Sequence, residues 1–168
     1  GADEIFTGYY DHYSFWLNVM KKNKNFDIYL QERENGYGRY INNPLLKNPL
    51  KIIDDDKFRG HLYQGSEYFS DLLLNKIDVS FSEENFSNDC LRNRMMNELL
   101  NEIVPAILFS DDLNSMMYSM ENRSPFLDSS LVEFLYSVPT KYLIKEGFQK
   151  IILRKSVNQI LPKSILNS

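Results

Sequence analysis

With 168 residues, 43% of them hydrophobic and 25% charged, the chain is long enough to bury a core as one domain. A net charge of −4 and a pI near 5.2 argue against a general nucleic-acid partner, and no signal-peptide pattern or apolar run near ~18 residues points to a membrane span. The single cysteine, Cys90, excludes an internal disulfide framework and fits a reducing compartment, so the cytoplasm is the expected location.

The chain opens on "GADEIFTGYYDHY", without methionine. Asp3 and Glu4 stand at the mouth of an apolar, aromatic run expected to be one helix from about Glu4 to Lys22. Acids there offset the helix dipole. They also suit a hard cation, because Mg²⁺ prefers one or two carboxylates together with substrate phosphates. "KKNKN" is a solvated stop, and "FDIYLQEREN" predicts a second helix. "GYGRYINNPLLKNPLKIIDDDKF" carries Gly, Pro and Asn throughout and reads as an irregular connection. "QGSEYFSDLLLNK" predicts a short helix capped by Ser66, and "IDVSFSEENFSN" a loop.

In "NDCLRNRMMNELLNEIV", Leu91, Met95, Leu99 and Ile103 recur every fourth residue, with Arg92, Asn93, Asn97 and Asn101 off that stripe. This predicts an amphipathic helix that Pro105 kinks or restarts. "AILFSDDLNSMMYSM" is apolar on most sides and is expected to be deeply buried. Asp128 or Ser129 caps "SLVEFLYSV", which Pro139 closes. "FQKIILRKSVNQIL" is the last substantial helix, ended by Pro162. The fold class read from this pattern is mostly α.

Three stretches hold polar groups that packing alone does not require: Asp3-Glu4; the set Asp111, Asp112, Glu121, Arg123 and Asp128; and Lys150 with Arg154, four apart on one helix face. Packing explanations stand beside each: a dipole-offsetting pair, an ion pair of Arg123 with Glu121 or Asp128, and a surface lysine. Gly147 allows a tight turn or close approach. His12 and His61 stand apart from any cluster with metal-ligand spacing and read as structural or solvated. Cys90 reads as an inert buried thiol. Neither a nucleophile elbow nor a Walker or dinucleotide glycine motif occurs, and "NGYGRY" lacks a phosphate-loop context.

"GADEIFTGY" (Gly1–Tyr9), "ENRSPFLD" (Glu121–Asp128) and "GFQKIILRK" come in the order and rough spacing of the synthetase domain of glutamine-hydrolysing asparagine synthetases, which the chain therefore resembles. The corresponding family patterns are Ser-Gly-x-Gly-Ala-Asp-Glu-x-Phe-x-Gly-Tyr, Glu-x-Arg-x-Pro-Phe-Leu-Asp and Gly-x-x-Lys-x-x-Leu-Arg. "DLNSM", from Asp112 to Met116, resembles the family's Asp-x-x-Ser-Met. The resemblance implies the helical C-terminal portion of an α/β synthetase domain of the pyrophosphate-loop, adenine-nucleotide-hydrolase-like type, with its parallel sheet upstream.

It also implies an ATP- and Mg²⁺-dependent amidotransferase that adenylates aspartate and transfers glutamine-derived ammonia. Gly1, Asp3, Glu4 and Lys150 would then face nucleotide, with Asp3 at the metal. Lys150 would be the catalytic cation, and Asp112, Glu121 and Arg123 would order the pocket wall or acceptor site. Thr7 replaces a usual glycine. The family's pyrophosphate loop, Ser-Gly-Gly-x-Asp-Ser, does not occur in the sequence, nor does a glutaminase domain with its N-terminal cysteine. Residues 1–168 are therefore expected to be a C-terminal piece, inactive toward ATP alone, with upstream domains of the same chain and small-molecule substrates as partners and a homo-oligomer as an option. Two other readings remain open: an amidotransferase acting on a different carboxylate, such as a surface-sugar or antibiotic precursor, and a non-catalytic helical interaction module.

Overall fold

The computed structural model describes residues 1–42, 44–51, 72, 74 and 83–166. His61, the predicted helix capped by Ser66, and residues 77–82 of the predicted acidic loop lie outside the described residues. Among the described residues there are helices and no strand, apart from one isolated antiparallel bridge between Lys145 and Phe148. The helices are α1 (Ala2–Phe6), α2 (His12–Met20), α3 (Phe26–Asn35), α4 (Pro44–Lys47), α5 (Cys90–Leu100), α6 (Ile103–Met117), α7 (Ser129–Ser137), α8 (Ile151–Ser156) and α9 (Lys163–Leu166). Single 3₁₀ turns occur at Tyr37–Tyr40, Pro125–Leu127 and Thr140–Tyr142.

The single helix expected from Glu4 to Lys22 is instead two. Thr7 ends α1 in the left-handed region, at φ 64 and ψ 56, with its amide on the Asp3 carbonyl. A β-branched residue disfavours that region, so the surroundings must hold it there. The Thr7 side chain is fully buried and donates to the Phe6 carbonyl at 2.5 Å, with the Leu143 carbonyl at 3.5 Å. The position is one where glycine carries no steric penalty, which accounts for the residue usual there in the motif that Thr7 departs from.

Two apolar clusters form the core. Tyr13, Trp16 and Leu17 of α2 meet Leu91 and Met95 of α5, closed by Leu143 and Ile144. Ile5 and Phe6 of α1 meet Leu99, Val104 and Leu135. The Trp16 indole N–H donates to the Thr140 carbonyl at 3.0 Å, so its polar edge is satisfied inside the first cluster. Asp89 caps α5, one carboxylate oxygen accepting from the Arg92 amide at 3.0 Å and the other from the Thr140 hydroxyl at 2.6 Å. Asp128 caps α7 by accepting from the Leu131 amide at 3.1 Å, as its position predicts.

α5 departs from the amphipathic pattern. Leu91, Met95 and Leu99 are buried, but so are Arg92, Arg94, Asn97 and Glu98, while Ile103 is only half-buried. The polar side chains are tolerated because each finds partners. The Asn97 side chain accepts from the Glu84 amide and donates to the Glu84 carbonyl, both at 2.9 Å. Arg94 donates to Glu98 at 2.9 Å and also engages Glu83 and Glu102. Glu98 in turn lies 2.6 Å from His12 Nε2, which ties α5 to α2.

The expected deep burial of α6 is overturned. Phe109, Leu113, Met116 and Met117 are 68%, 56%, 59% and 79% exposed. Its pattern is apolar all round, but no described element covers it beyond Val104. Pro105 restarts the helix as expected, falling in the first turn where amides have no intrahelical partner. The predicted last helix is also shorter: α8 covers Ile151–Ser156, and Pro162 precedes the one-turn α9. Cys90 is half-buried, its thiol donating to the Phe15 carbonyl at 3.5 Å. Burial first, then the Asp89 charge, pushes the thiol up to about 11, as befits an inert residue.

A tight turn precedes α8. Lys145 and Phe148 exchange both backbone hydrogen bonds, at 3.2 and 2.9 Å, around Glu146 (φ 54) and Gly147 (φ 79). Positive φ at both central residues suits a primed hairpin turn. A Cβ on Gly147 would lie 2.6 Å from the Glu32 carbonyl oxygen, so α3 and this turn meet backbone to backbone. Gly147→Ala is expected to cost about 1–3 kcal/mol through positive φ and this clash together. Urea denaturation measures it, and an unchanged midpoint would show that the turn relaxes freely.

Candidate active site

The three singled-out motifs converge on α1. Phe126 packs edge-on against Phe6, ring centroids 5.9 Å apart, and Leu127 lies beside Gly1, so the second motif seats against the first. The Gln149 side chain, 6% exposed, donates to the Tyr9 carbonyl at 2.7 Å and binds the third motif to the first across 140 residues. The turn at Gly147 then delivers Lys150, itself at φ 55, to the mouth of α8.

There Lys150 Nζ lies 2.5 Å from Asp3 Oδ1. Gly8 makes this approach possible: a Cβ on it would stand 1.8 Å from Asp3 Oδ1 and 2.5 Å from Lys150 Cε. The two side chains are 31% and 42% exposed, for Lys150 and Asp3 respectively. A pair so open to water contributes little to stability, of order 0–1 kcal/mol.

Lys150 also lines a cleft of about 600 Å³ with Tyr37, Arg39, Tyr40, Phe148 and Arg154. Arg154 donates to the Gln149 and Leu166 carbonyls at 2.9 and 2.6 Å and stands over the Phe148 ring, so its position is fixed. Burial lowers its pKa from the ordinary arginine value. Tyr37 stacks on Tyr10 with an interplanar angle of 24°. Burial first, then neighbouring Tyr10 and acidic charges, raises the Tyr37 phenol well above its ordinary value, so it remains a neutral hydrogen-bond donor.

Glu4 is turned inward. It is 1% exposed and accepts from the Tyr9 hydroxyl at 2.5 Å. Asp112 lies on the exposed face of α6. Arg123 and Glu121 form a 2.6 Å ion pair with side chains 81% and 72% exposed, so the pairing expected from sequence occurs in water, not in an apolar interior. No described contact joins Asp112, Glu121 or Arg123 to Asp3 or Lys150.

Asp11, His12 and Glu98 offer ligand atoms within 4.8 Å of one another. Spacing gave no hint of this, because Glu98 is 86 residues from His12. His12 and Glu98 are both buried and paired, and Arg94 meets the second Glu98 oxygen, so the cluster reads as a buried ion-pair network between α2 and α5. The structure thus places His12 in a cluster that the sequence reading did not foresee. Tyr37, Arg39 and Tyr40, by contrast, fall in the segment read from sequence as a bare connection. The run of two tyrosines and an arginine among glycines was the available signal.

A family model described as asparagine synthase matches residues 1–168. Asparagine synthetase [glutamine-hydrolyzing] 3 of Bacillus subtilis (strain 168) is 40% identical over 60 residues, 36% of this chain and 10% of that protein. Asparagine synthetase [glutamine-hydrolyzing] 1 of the same organism is 36% identical over 61 residues, again 36% of this chain and 10% of that protein. The matched stretch thus spans about a tenth of the length of these curated relatives. No solved structure matches the chain.

Proposed function

The chain belongs to the asparagine synthase family, and from that premise we propose that it forms part of an ATP-dependent amidotransferase that turns aspartate into asparagine. In this reading a carboxylate oxygen of the acceptor attacks the α-phosphate of ATP and pyrophosphate leaves. Ammonia, drawn from glutamine, then attacks the acyl-adenylate carbonyl, and AMP leaves with the bonding pair. The pyrophosphate loop and the glutaminase chemistry are assigned to parts of the polypeptide other than these residues, and the compartment proposed is the cytoplasm.

The observation that carries the reading is the Lys150–Asp3 pair, held at a cleft by three motifs distant in sequence. Lys150 would offset negative charge as pyrophosphate departs and again as the tetrahedral oxyanion forms. Asp3 meets Lys150 through Oδ1, and the side chain is 42% exposed. That donor set fits a hydrated Mg²⁺ shared with phosphate oxygens, which would supply charge neutralisation at the leaving group. Gly1, at the head of the same motif, would face nucleotide. Glu4 would act from behind, fixing the α1–Tyr9 turn through its Tyr9 bond. Asp112, Glu121 and Arg123, all exposed, would order the acceptor side of the site.

Asp3→Asn in the full-length protein tests this. Amide synthesis is expected to fall by about two orders of magnitude, the scale of losing a charged transition-state contact, while glutamine hydrolysis persists. Both half-reactions falling together would assign Asp3 to folding instead.

A further inference from the structure

Lys150 reaches Asp3 from a backbone conformation that lysine does not favour. Its φ of 55 and ψ of 29 lie in the left-handed region, which persists only where the surroundings hold it. The Lys150 side chain is 31% exposed, so packing around it does little of that holding. The residue before it is different. Gln149 is 6% exposed, and its side-chain Nε2 donates to the Tyr9 carbonyl at 2.7 Å. The Gln149 carbonyl accepts from Arg154 Nε at 2.9 Å, and Arg154 is fixed in turn by the Leu166 carbonyl and the Phe148 ring. The peptide leading into Lys150 is thus gripped on both sides. The far end of the Gln149 bond is also held. The Tyr9 carbonyl accepts from the His12 amide at 3.2 Å, at the start of α2, and the Tyr9 hydroxyl donates to Glu4. The neighbouring Gly8 amide donates to the Asp3 carbonyl at 2.8 Å. A side-chain amide therefore registers the Lys150 backbone against the segment that carries Asp3.

We infer that Gln149 is a positioning residue for amide synthesis and acts through Lys150. Its hydrogen bond to Tyr9 keeps Lys150 left-handed and its ammonium at Asp3, where it meets developing charge. The inference rests on the amidotransferase reading and adds to it a residue one remove from the chemistry. The Tyr9 carbonyl can only accept, so the position needs a donor of this length. Placement matters more than the strength of the bond, because a catalytic group displaced by about 1 Å can lose about 100-fold in rate. Spacing in the sequence does not mark Gln149, since its partner lies 140 residues away.

The test is a double-mutant cycle in the full-length protein, read as kcat and KM for amide synthesis, with thermal unfolding as the check on the folded state. Gln149→Met keeps the side-chain length and removes the donor. It is expected to lower kcat about tenfold or more while the KM values for ATP and aspartate stay within about twofold. In the Lys150→Ala background the same substitution is expected to change kcat by less than about twofold, because its effect passes through the lysine. An unchanged kcat for Gln149→Met, a loss confined to KM, or equal losses in the two backgrounds would overturn the inference. Should Gln149→Met unfold at the assay temperature, Gln149→Asn decides, since it keeps the amide but withdraws it by one methylene. A smaller loss of kcat that again vanishes in the Lys150→Ala background is expected; a wild-type kcat, or a loss equal in both backgrounds, overturns the inference. The two failures are separable. Wild-type synthesis by Lys150→Ala sinks the amidotransferase reading and this inference with it, whereas a slow Lys150→Ala beside an unaffected Gln149→Met sinks this inference alone.

Discussion

Lys150→Ala in the full-length protein is expected to lower amide synthesis by about 100-fold or more, the scale of removing one preorganised transition-state contact. Glutamine hydrolysis and the folded state are expected to survive. The side chain is 31% exposed and pairs with a still more exposed carboxylate, so stability should change by no more than about 1 kcal/mol. Lys150→Arg is expected to recover only part of the rate. Gly8 leaves no room around the Asp3–Lys150 contact, and a planar fork cannot follow charge as a compact ammonium does. Pyrophosphate release and amide formation, assayed separately, show whether the lysine acts in adenylation, in ammonia attack or in both. Near-wild-type rates for both steps would return Lys150 to the ranks of surface lysines and remove the observation on which the proposed function stands.

Arg94→Leu is expected to be the most destabilising of the substitutions considered, at about 3–5 kcal/mol. Arg94 is fully buried and serves Glu83, Glu98 and Glu102 at once. Removing it leaves those carboxylates without their shared cation, and two helices lose a joint, since Glu98 also holds His12 of α2. The loss arises from uncompensated buried charge; it is not a measure of what the network contributes against an apolar equivalent. Arg94→Lys should restore only a fraction, because one ammonium cannot span three acids as the five-donor fork does. Chemical denaturation of the full-length protein measures both variants. A loss below about 1 kcal/mol for Arg94→Leu would mean that water enters and solvates the freed carboxylates.

This network shows why part of the fold could not be read from sequence. The fourfold spacing of Leu91, Met95 and Leu99 predicts a helix with one buried stripe, and that stripe is buried. Periodicity treats arginine and glutamate as solvated, however, and cannot see that Glu83, Glu102 and His12 arrive from elsewhere to satisfy Arg94 and Glu98. α6 fails in the opposite direction. Its sequence asks for burial on most sides, yet burial needs a facing surface, and no described element supplies one.

The sequence by itself determined the mostly α class, the cap at Asp128, and which three motifs carry charge where packing does not need it. These are local properties: spacing, capping chemistry and residue type act within a few positions of one another. Only the tertiary structure decided that Thr7 breaks the first helix, that Gly8 lets Asp3 and Lys150 touch, and that the Tyr37–Tyr40 turn walls their cleft. The partners in each case come from distant parts of the chain, 147 residues apart for Asp3 and Lys150. A contact between such distant residues exists only once helix packing has offset the entropy of closing the loop between them.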